Sequence, residues 1–168
     1  MTPLLPLEFQ KIVEETSVES GFDINYEIGN YSEVNSIITG KAQTELPRFP
    51  LIWFIIPYGE IVTIEHGVEA NLRFIIATTT KMELTYKQRF QESFDLVLVP
   101  IYESFKRRIY FSGMFSMTDP EYVPHERNYL PYWGKEVNGV NVANMFNEPV
   151  DVLEIKNLKL LINLNKFC

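Results

Sequence analysis

The side chains that most often carry chemistry are scarce in this sequence, and their spacing matches no catalytic or metal-binding pattern. The two histidines, His66 and His125, are far apart, and the single cysteine, Cys168, is the last residue. No zinc pattern can be drawn from them, and we expect both histidines at a surface or an interface. The sequence motifs of nucleotide-binding proteins and serine hydrolases are missing as well. The sequence therefore predicts no catalytic residue, no bound metal and no cofactor.

A group of carboxylates is the one alternative that would imply an enzyme. Asp119, Glu121 and Glu126 lie close together in the sequence and could bind a divalent cation. Such a site would suit a hydrolase or a nuclease. A solvated acidic loop is the more common meaning of this pattern, so we favour that interpretation.

Basic and aromatic residues suggest contact with other macromolecules. Lys106, Arg107 and Arg108 are consecutive and could touch phosphate, although a helix end or an ion pair across a subunit contact is favoured. The aromatic residues downstream could stack on bases or sugars. Few basic residues surround them, which favours packing or protein contact instead. We predict a subunit interface that uses Arg107 and Arg108 together with Tyr122, Tyr129, Tyr132, Trp133 and Phe146.

Composition favours one domain, 1–168, with a sizeable hydrophobic core. The chain has 168 residues, of which 46% are hydrophobic. Its net charge of −7 argues against coating nucleic acid, because tight binding needs cations that displace counterions. A surface past which DNA slides should be neutral or negative, so passage of DNA stays compatible with this charge. No apolar run is long enough to span a membrane and no signal peptide is expected.

A buried strand organises the predicted fold. Six consecutive apolar residues, 51–56, lie between Pro50 and Pro57, which is typical of a strand buried on both faces. Apolar periodicity predicts helices over 4–19 and 33–39. It predicts strands over 23–31 and 71–80, with an extended excursion or hairpin over 61–70.

The second half of the chain combines a long helix with a loop-rich insertion. The stripe over 85–111 predicts the longest helix, starting with a capping box at Thr85, and Pro100 predicts a kink or break near Val99. Prolines, glycines and aromatic residues mark 112–149 as an extended loop-rich arm, which either folds back or reaches a neighbour. A strand follows over 150–164, with a possible turn at Lys156 and Asn157. The fold class is α+β: a mixed or mostly antiparallel sheet packed by an N-terminal helix and a long kinked helix.

Four segments also resemble a known group of proteins. They are F-P-L-I-W-F-I-I-P at 49–57, the strand at 74–80, R-F-x-x-S-F-x-L-V-L-x-P-I-Y at 89–102 and D-V-L-E-I-K-N-L-K-L at 151–160. Their order is similar to that in neck and tail-completion proteins of tailed bacteriophages, of the tail-terminator or connector-ring type. The likeness is to small proteins of phages and prophages of Bacteroidetes, including crAss-like phages.

The resemblance implies a structural subunit and not an enzyme. Such a subunit forms a six-fold ring in a tail terminator or a twelve-fold ring in a connector layer, through which DNA passes. Its neighbours are portal, connector or tail proteins, and it resides in the virion after assembly in the host cytoplasm. A non-enzymatic binding module for a host or assembly partner is the alternative function.

Overall fold

Helices pack on one face of a mixed β-sheet. The structure is a computed structural model that describes residues 4–30, 32–33, 49–63, 67–133, 136–137, 140–141 and 149–164. The predicted α+β class is confirmed. In chain order the helices are α1 (Leu5–Ser20), α2 (Tyr86–Arg89), a π-helical segment (Phe90–Leu98) and α3 (Val99–Phe111). The strands are β1 (Asn25–Gly29), β2 (Leu51–Ile55), β3 (Gly59–Thr63), β4 (Gly67–Thr79), β5 (Glu126–Trp133), β6 (Glu136–Val137), β7 (Val140–Asn141) and β8 (Val150–Ile162).

The sheet is mostly antiparallel, as predicted. Its strand order is β1-β2-β4-β8-β5, and β3 pairs with β4 beside that path. Only the β1–β2 pair is parallel among these described strands, while β6 and β7 form a separate two-stranded pair. The central strands β4 and β8 are each 13 residues long and pair along most of their length, so they form the axis of the domain.

The strand predicted between two prolines is the most deeply buried one. All five residues of β2 are buried, and the peptide bonds before Pro50 and Pro57 are both cis. Strand β2 lies between β1 and β4, and its side chains enter separate clusters on the two faces of the sheet. Alternation explains this, because neighbouring residues of a strand point to opposite faces.

The chain then continues through Pro57 into β3, which pairs with the first half of β4. Strands β3 and β4 thus form a hairpin, which is one of the two structures predicted for 61–70. Gly59, Glu60, Ile61 and Val62 of β3 are exposed, in contrast to the residues of β2. The reason is that β1 ends beside Ile55, so that no described strand covers the outer edge of β3.

The long helix continues past Pro100 with a change in its hydrogen bonding. Thr85 and Gln88 form the expected capping box at its start. Upstream of Pro100 the helix is π-helical, and the Val99 N–H donates to the Phe94 carbonyl. The predicted break near Val99 is therefore a change from π-helical to α-helical bonding, with Pro100 in the first turn of α3, where its missing N–H costs least.

The C-terminal half differs from expectation in two places. We predicted a loop-rich arm over 112–149, but Glu126–Trp133 forms an edge strand paired with β8. Alternating side chains that pack on the sheet outweigh the turn-forming composition around it. The turn expected at Lys156 and Asn157 is instead a bulge within β8, where Asn157 has a φ of 51°. The helix predicted over 33–39 lies almost wholly outside the described residues.

The main core lies between the helices and the sheet. Phe9 of α1 is fully buried, and four other rings lie within 6.0 Å of its own: Phe54, Phe74, Phe105 and Phe115. A second buried cluster on the opposite face of the sheet includes Trp53, Ile75 and Val152. Through this core the long helix packs against β8, and β5 lies beside β8 at the edge of the sheet.

Candidate interaction face

Aromatic side chains line the boundary between the long helix and the edge strand β5. We call Tyr86, Phe90, Tyr129 and Tyr132 the aromatic face. The Tyr86 and Tyr132 rings meet edge to face at 6.0 Å, and the Phe90 and Tyr129 ring centroids are 6.1 Å apart. Phe90 stacks at 4.6 Å on the buried Phe94, which anchors the face to the core. The first three of these residues are exposed, so the face presents aromatic area to a partner.

Local sequence explains why these rings meet. Phe90 and Phe94 are four residues apart and therefore lie on the same side of the helix. In β5, Tyr129 pairs with Leu153, whose side chain belongs to the core beneath the helices. Tyr129 consequently points to the helical side of the sheet, 5.5 Å from the Phe94 ring.

Cations lie beside the aromatic face. The Arg127 guanidinium is 5.4 Å from the Tyr129 ring centroid and 5.1 Å from that of Tyr102. Arg127 is exposed, and no described carboxylate forms an ion pair with it. Lys106 differs, because its ammonium is 3.1 Å from both Glu103 and Glu121. Burial works to lower the pKa of Lys106, but these two carboxylates outweigh burial and raise it above its ordinary value.

His125 has a structural role at the start of β5. Its Nδ1 is 2.7 Å from the Val123 carbonyl, and its Nε2 is 2.7 Å from the Tyr102 hydroxyl. Because a carbonyl only accepts, Nδ1 carries the proton, and in the neutral ring Nε2 accepts from the hydroxyl. Burial raises the pKa of Tyr102, so this hydroxyl is a stable donor. The pair ties the long helix to the strand.

A buried arginine lies under the aromatic face. Arg89 is fully buried, and its guanidinium lies 3.1 Å from the Tyr132 ring centroid. It donates to Asp151 Oδ1 at 3.3 Å, to Thr80 Oγ1 at 2.8 Å and to the Leu84 carbonyl at 3.2 Å. It also donates to the Lys81 carbonyl.

Tyr132 completes this buried cluster from the strand side. Its backbone N–H donates to Asp151 Oδ1 at 3.1 Å, and its hydroxyl donates to the carbonyls of Met82 and Leu84. The residue has a φ of 54°, which a non-glycine residue adopts only when its surroundings require it. The Arg89–Asp151 pair thereby fixes the end of β5 and the orientation of the Tyr132 ring.

The predicted interface residues fall into separate places. Tyr129 and Tyr132 belong to the aromatic face. Tyr122 is 81% exposed on a short 3-10 turn, Pro120–Tyr122, and Trp133 packs 6.2 Å from Trp53 on the other face of the sheet. Phe146 lies outside the described residues.

Arg107 and Arg108 bind within the chain. Both donate to Glu19 at the end of α1, Arg107 Nε to Oε1 at 2.6 Å and Arg108 Nε to Oε2. Burial acts to raise the pKa of Glu19, but the two arginines outweigh it and hold the pKa below its ordinary value. The predicted subunit role of these arginines stays a prediction, while their visible role is to join α1 to α3.

The three carboxylates considered for a metal each have another partner. Asp119 accepts from the Glu121 N–H at 2.8 Å, Glu121 pairs with Lys106, and Glu126 accepts from Asn157 at 2.8 Å. Within the part of the chain that the structure describes, no group of three or more metal-binding side chains comes together. His66 and Cys168 lie outside that part.

Sequence patterns did not reveal the whole face. Phe90 and Phe94 both belong to the apolar stripe over 85–111, but Phe90 is 43% exposed whereas Phe94 is buried. The contacts of Tyr86 with Tyr132, and of Arg89 with Tyr132 and Asp151, join residues far apart in the chain, and no local pattern predicts them. The aromatic density of 112–149 was the one feature that pointed to this surface.

No protein-family model, curated protein or solved structure matches this chain. In the described residues, no helix is both long and apolar enough to cross a membrane.

Proposed function

We propose that this protein is a structural subunit of a tailed-bacteriophage virion, forming a ring in the neck between head and tail. In this proposal it acts by shape and self-association and catalyses no reaction. DNA passes through the lumen of the ring, and portal, connector or tail proteins bind above and below. The ring is six-fold if the protein is a tail terminator and twelve-fold if it forms a connector layer.

The exposed aromatic face is the observation that carries this proposal. Tyr86, Phe90 and Tyr129 offer aromatic area on a rigid support. Phe94 stacks under Phe90, and Arg89 lies under the Tyr132 ring that Tyr86 contacts. Aromatic anchors flanked by arginine are enriched where proteins bind other proteins. The four segments that resemble phage neck proteins agree with this use, because such subunits work through contacts with their own copies.

Charge supports the passage of DNA. The chain carries a net charge of −7, which a ring multiplies by the number of its subunits. A negative channel repels phosphate and prevents DNA from sticking to the wall. In this proposal the exposed cation Arg127 lies at a subunit contact and not in the lumen.

The experiment compares assembly of the wild type with two matched variants. Phe90→Asp places a charge on the aromatic face, whereas Leu96→Asp places the same charge on the same π-helical segment, at a 63% exposed residue outside the face. Light scattering over a range of concentrations and negative-stain micrographs would report the assembly. Circular dichroism would verify that both variants fold.

We expect wild type and Leu96→Asp to form closed rings at similar concentrations. Phe90→Asp should need a concentration more than about tenfold higher, as is usual for loss of an interface anchor. A wild-type protein that stays monomeric at every concentration would contradict the proposal. If the two variants assembled at equal concentrations, the aromatic face would not be a subunit contact.

A further inference from the structure

Strand β3 lies at an edge of the sheet formed by the described strands. Its first four residues are exposed, with Ile61 at 60% and Val62 at 76% of their possible surface. On one side β3 pairs with β4, and no described strand pairs with the other side. An exposed edge with β-branched residues is a template for a further strand.

The opposite edge of the same sheet is β5, which carries Tyr129 and Tyr132 of the aromatic face. Over Glu126–Leu130 the strand keeps a regular register with β8, and Pro131 and the left-handed Tyr132 end that regular stretch. The regular stretch has five residues, the same length as β3. A ring needs two different surfaces on each subunit, one for each neighbour, and these two edges meet that requirement.

Uncompensated charges of opposite sign lie at the two edges. Glu60 in β3 is exposed and has no described cationic partner. It lies near Tyr58, where burial and then the Glu60 charge raise the pKa of the Tyr58 hydroxyl. Arg127 in β5 is exposed and has no described carboxylate partner. Glu60 and Arg127 are therefore complementary in charge, and the two strands match in length.

The faces of the two strands also agree. Glu60 and Val62 pair with Ala70 and Val68, which belong to the core on the helical side of the sheet. Arg127 and Tyr129 point to the same side, because they pair with Ile155 and Leu153 of that core. Because β3 and β5 run in opposite directions within one copy, the two edges pair antiparallel when the helical sides lie together. Over the full five-residue overlap Glu60 lies opposite Tyr129 and Val62 lies opposite Arg127, so Glu60 and Arg127 are diagonal neighbours on the helical side.

We infer that β3 of one copy adds to the β5 edge of the next copy and continues the sheet across the subunit boundary. This inference rests on the proposed ring and names the surface that fits the aromatic face. Glu60 then lies diagonally beside Arg127 of the neighbour, within reach of an ion pair, and Val62 lies opposite Arg127. The contact is head to tail, so each copy uses both of its edges.

Charge reversal tests this contact. Glu60→Arg places cations on both edges, and Arg127→Glu places carboxylates on both edges, so each variant alone repels its own copies. An equal mixture restores an opposite pair at every boundary, with the two variants alternating around the ring. Glu15→Arg on the exposed side of α1 is the control for the change in net charge.

We expect each single variant to need a concentration more than about tenfold higher for assembly than wild type or Glu15→Arg, since opposed like charges disfavour contact. The mixture should assemble near the wild-type concentration. Single variants that assemble like Glu15→Arg, or a mixture that stays dissociated, would overturn the inference while leaving the ring proposal intact. A monomeric wild type would instead overturn the ring proposal and this contact with it.

Discussion

Replacing Arg89 by methionine tests whether the buried ion pair holds β5 in place. The substitution keeps much of the side-chain length but removes the donors to Asp151, Thr80 and Leu84. Asp151, which is also fully buried, then keeps only the Tyr132 N–H. A buried carboxylate that loses its cation is strongly destabilising because its charge stays out of water without compensation.

The expected cost is about 3–5 kcal/mol of the free energy of unfolding. Domains of this kind are stable by about 5–15 kcal/mol, so the variant should remain folded but with a small margin. With a urea dependence of about 2 kcal/mol per molar, the unfolding midpoint should fall by roughly 2 M.

Asp151→Asn is the matched comparison. Asparagine keeps an acceptor for the Arg89 and Tyr132 N–H groups, and its amide replaces Oδ2, which has no described hydrogen-bond partner. Arg89 also keeps its contacts to Thr80 and Leu84. Asp151→Asn should therefore lose less than half of the free energy that Arg89→Met loses.

Urea unfolding followed by tryptophan fluorescence measures both variants, since Trp53 is fully buried and reports unfolding of the sheet. A loss below about 1 kcal/mol for Arg89→Met would refute the reasoning, because that value is typical of an exposed pair. An Asp151→Asn variant that is the less stable of the two would refute the assignment of the cost to the orphaned carboxylate.

Two further predictions concern the core and the junction of the helices. Phe9→Ala should lower the free energy of unfolding by about 3–5 kcal/mol, because the ring is fully buried among four others, and a calorimetric melt that hardly moves would contradict this packing. Glu19→Gln should cost about 1 kcal/mol at neutral pH, because its partners Arg107 and Arg108 are partly exposed. The lowered pKa of Glu19 means that this stabilisation is present above its ordinary pKa of 4.5 and is lost as pH falls through the lower folded value. Wild type and Glu19→Gln should thus converge in stability at acidic pH, and a constant difference would contradict the ion pair.

The fold class and the central strand could be predicted because they depend on local patterns. Residues 51–56 form an apolar run between two prolines, and only a strand covered on both faces accommodates that pattern well. The capping box at Thr85 could be predicted for the same reason, since its two partners are three residues apart.

Other features depend on partners that lie far apart in the chain. Arg89 and Asp151 are separated by 62 positions, and nothing near either residue signals that both are buried. Strand β5 was hidden by the prolines and glycines around it, although its pairing with β8 outweighs that composition. Arg107 and Arg108 were expected at a subunit contact because the sequence alone does not bring Glu19 next to them.

The most direct test of the account is the mass distribution of the purified wild-type protein, measured by native mass spectrometry at increasing concentration. The account predicts one discrete closed assembly, six-fold or twelve-fold, that replaces the monomer without a ladder of open intermediates. A protein that remains a monomer throughout, or that forms open chains of every length, would contradict it.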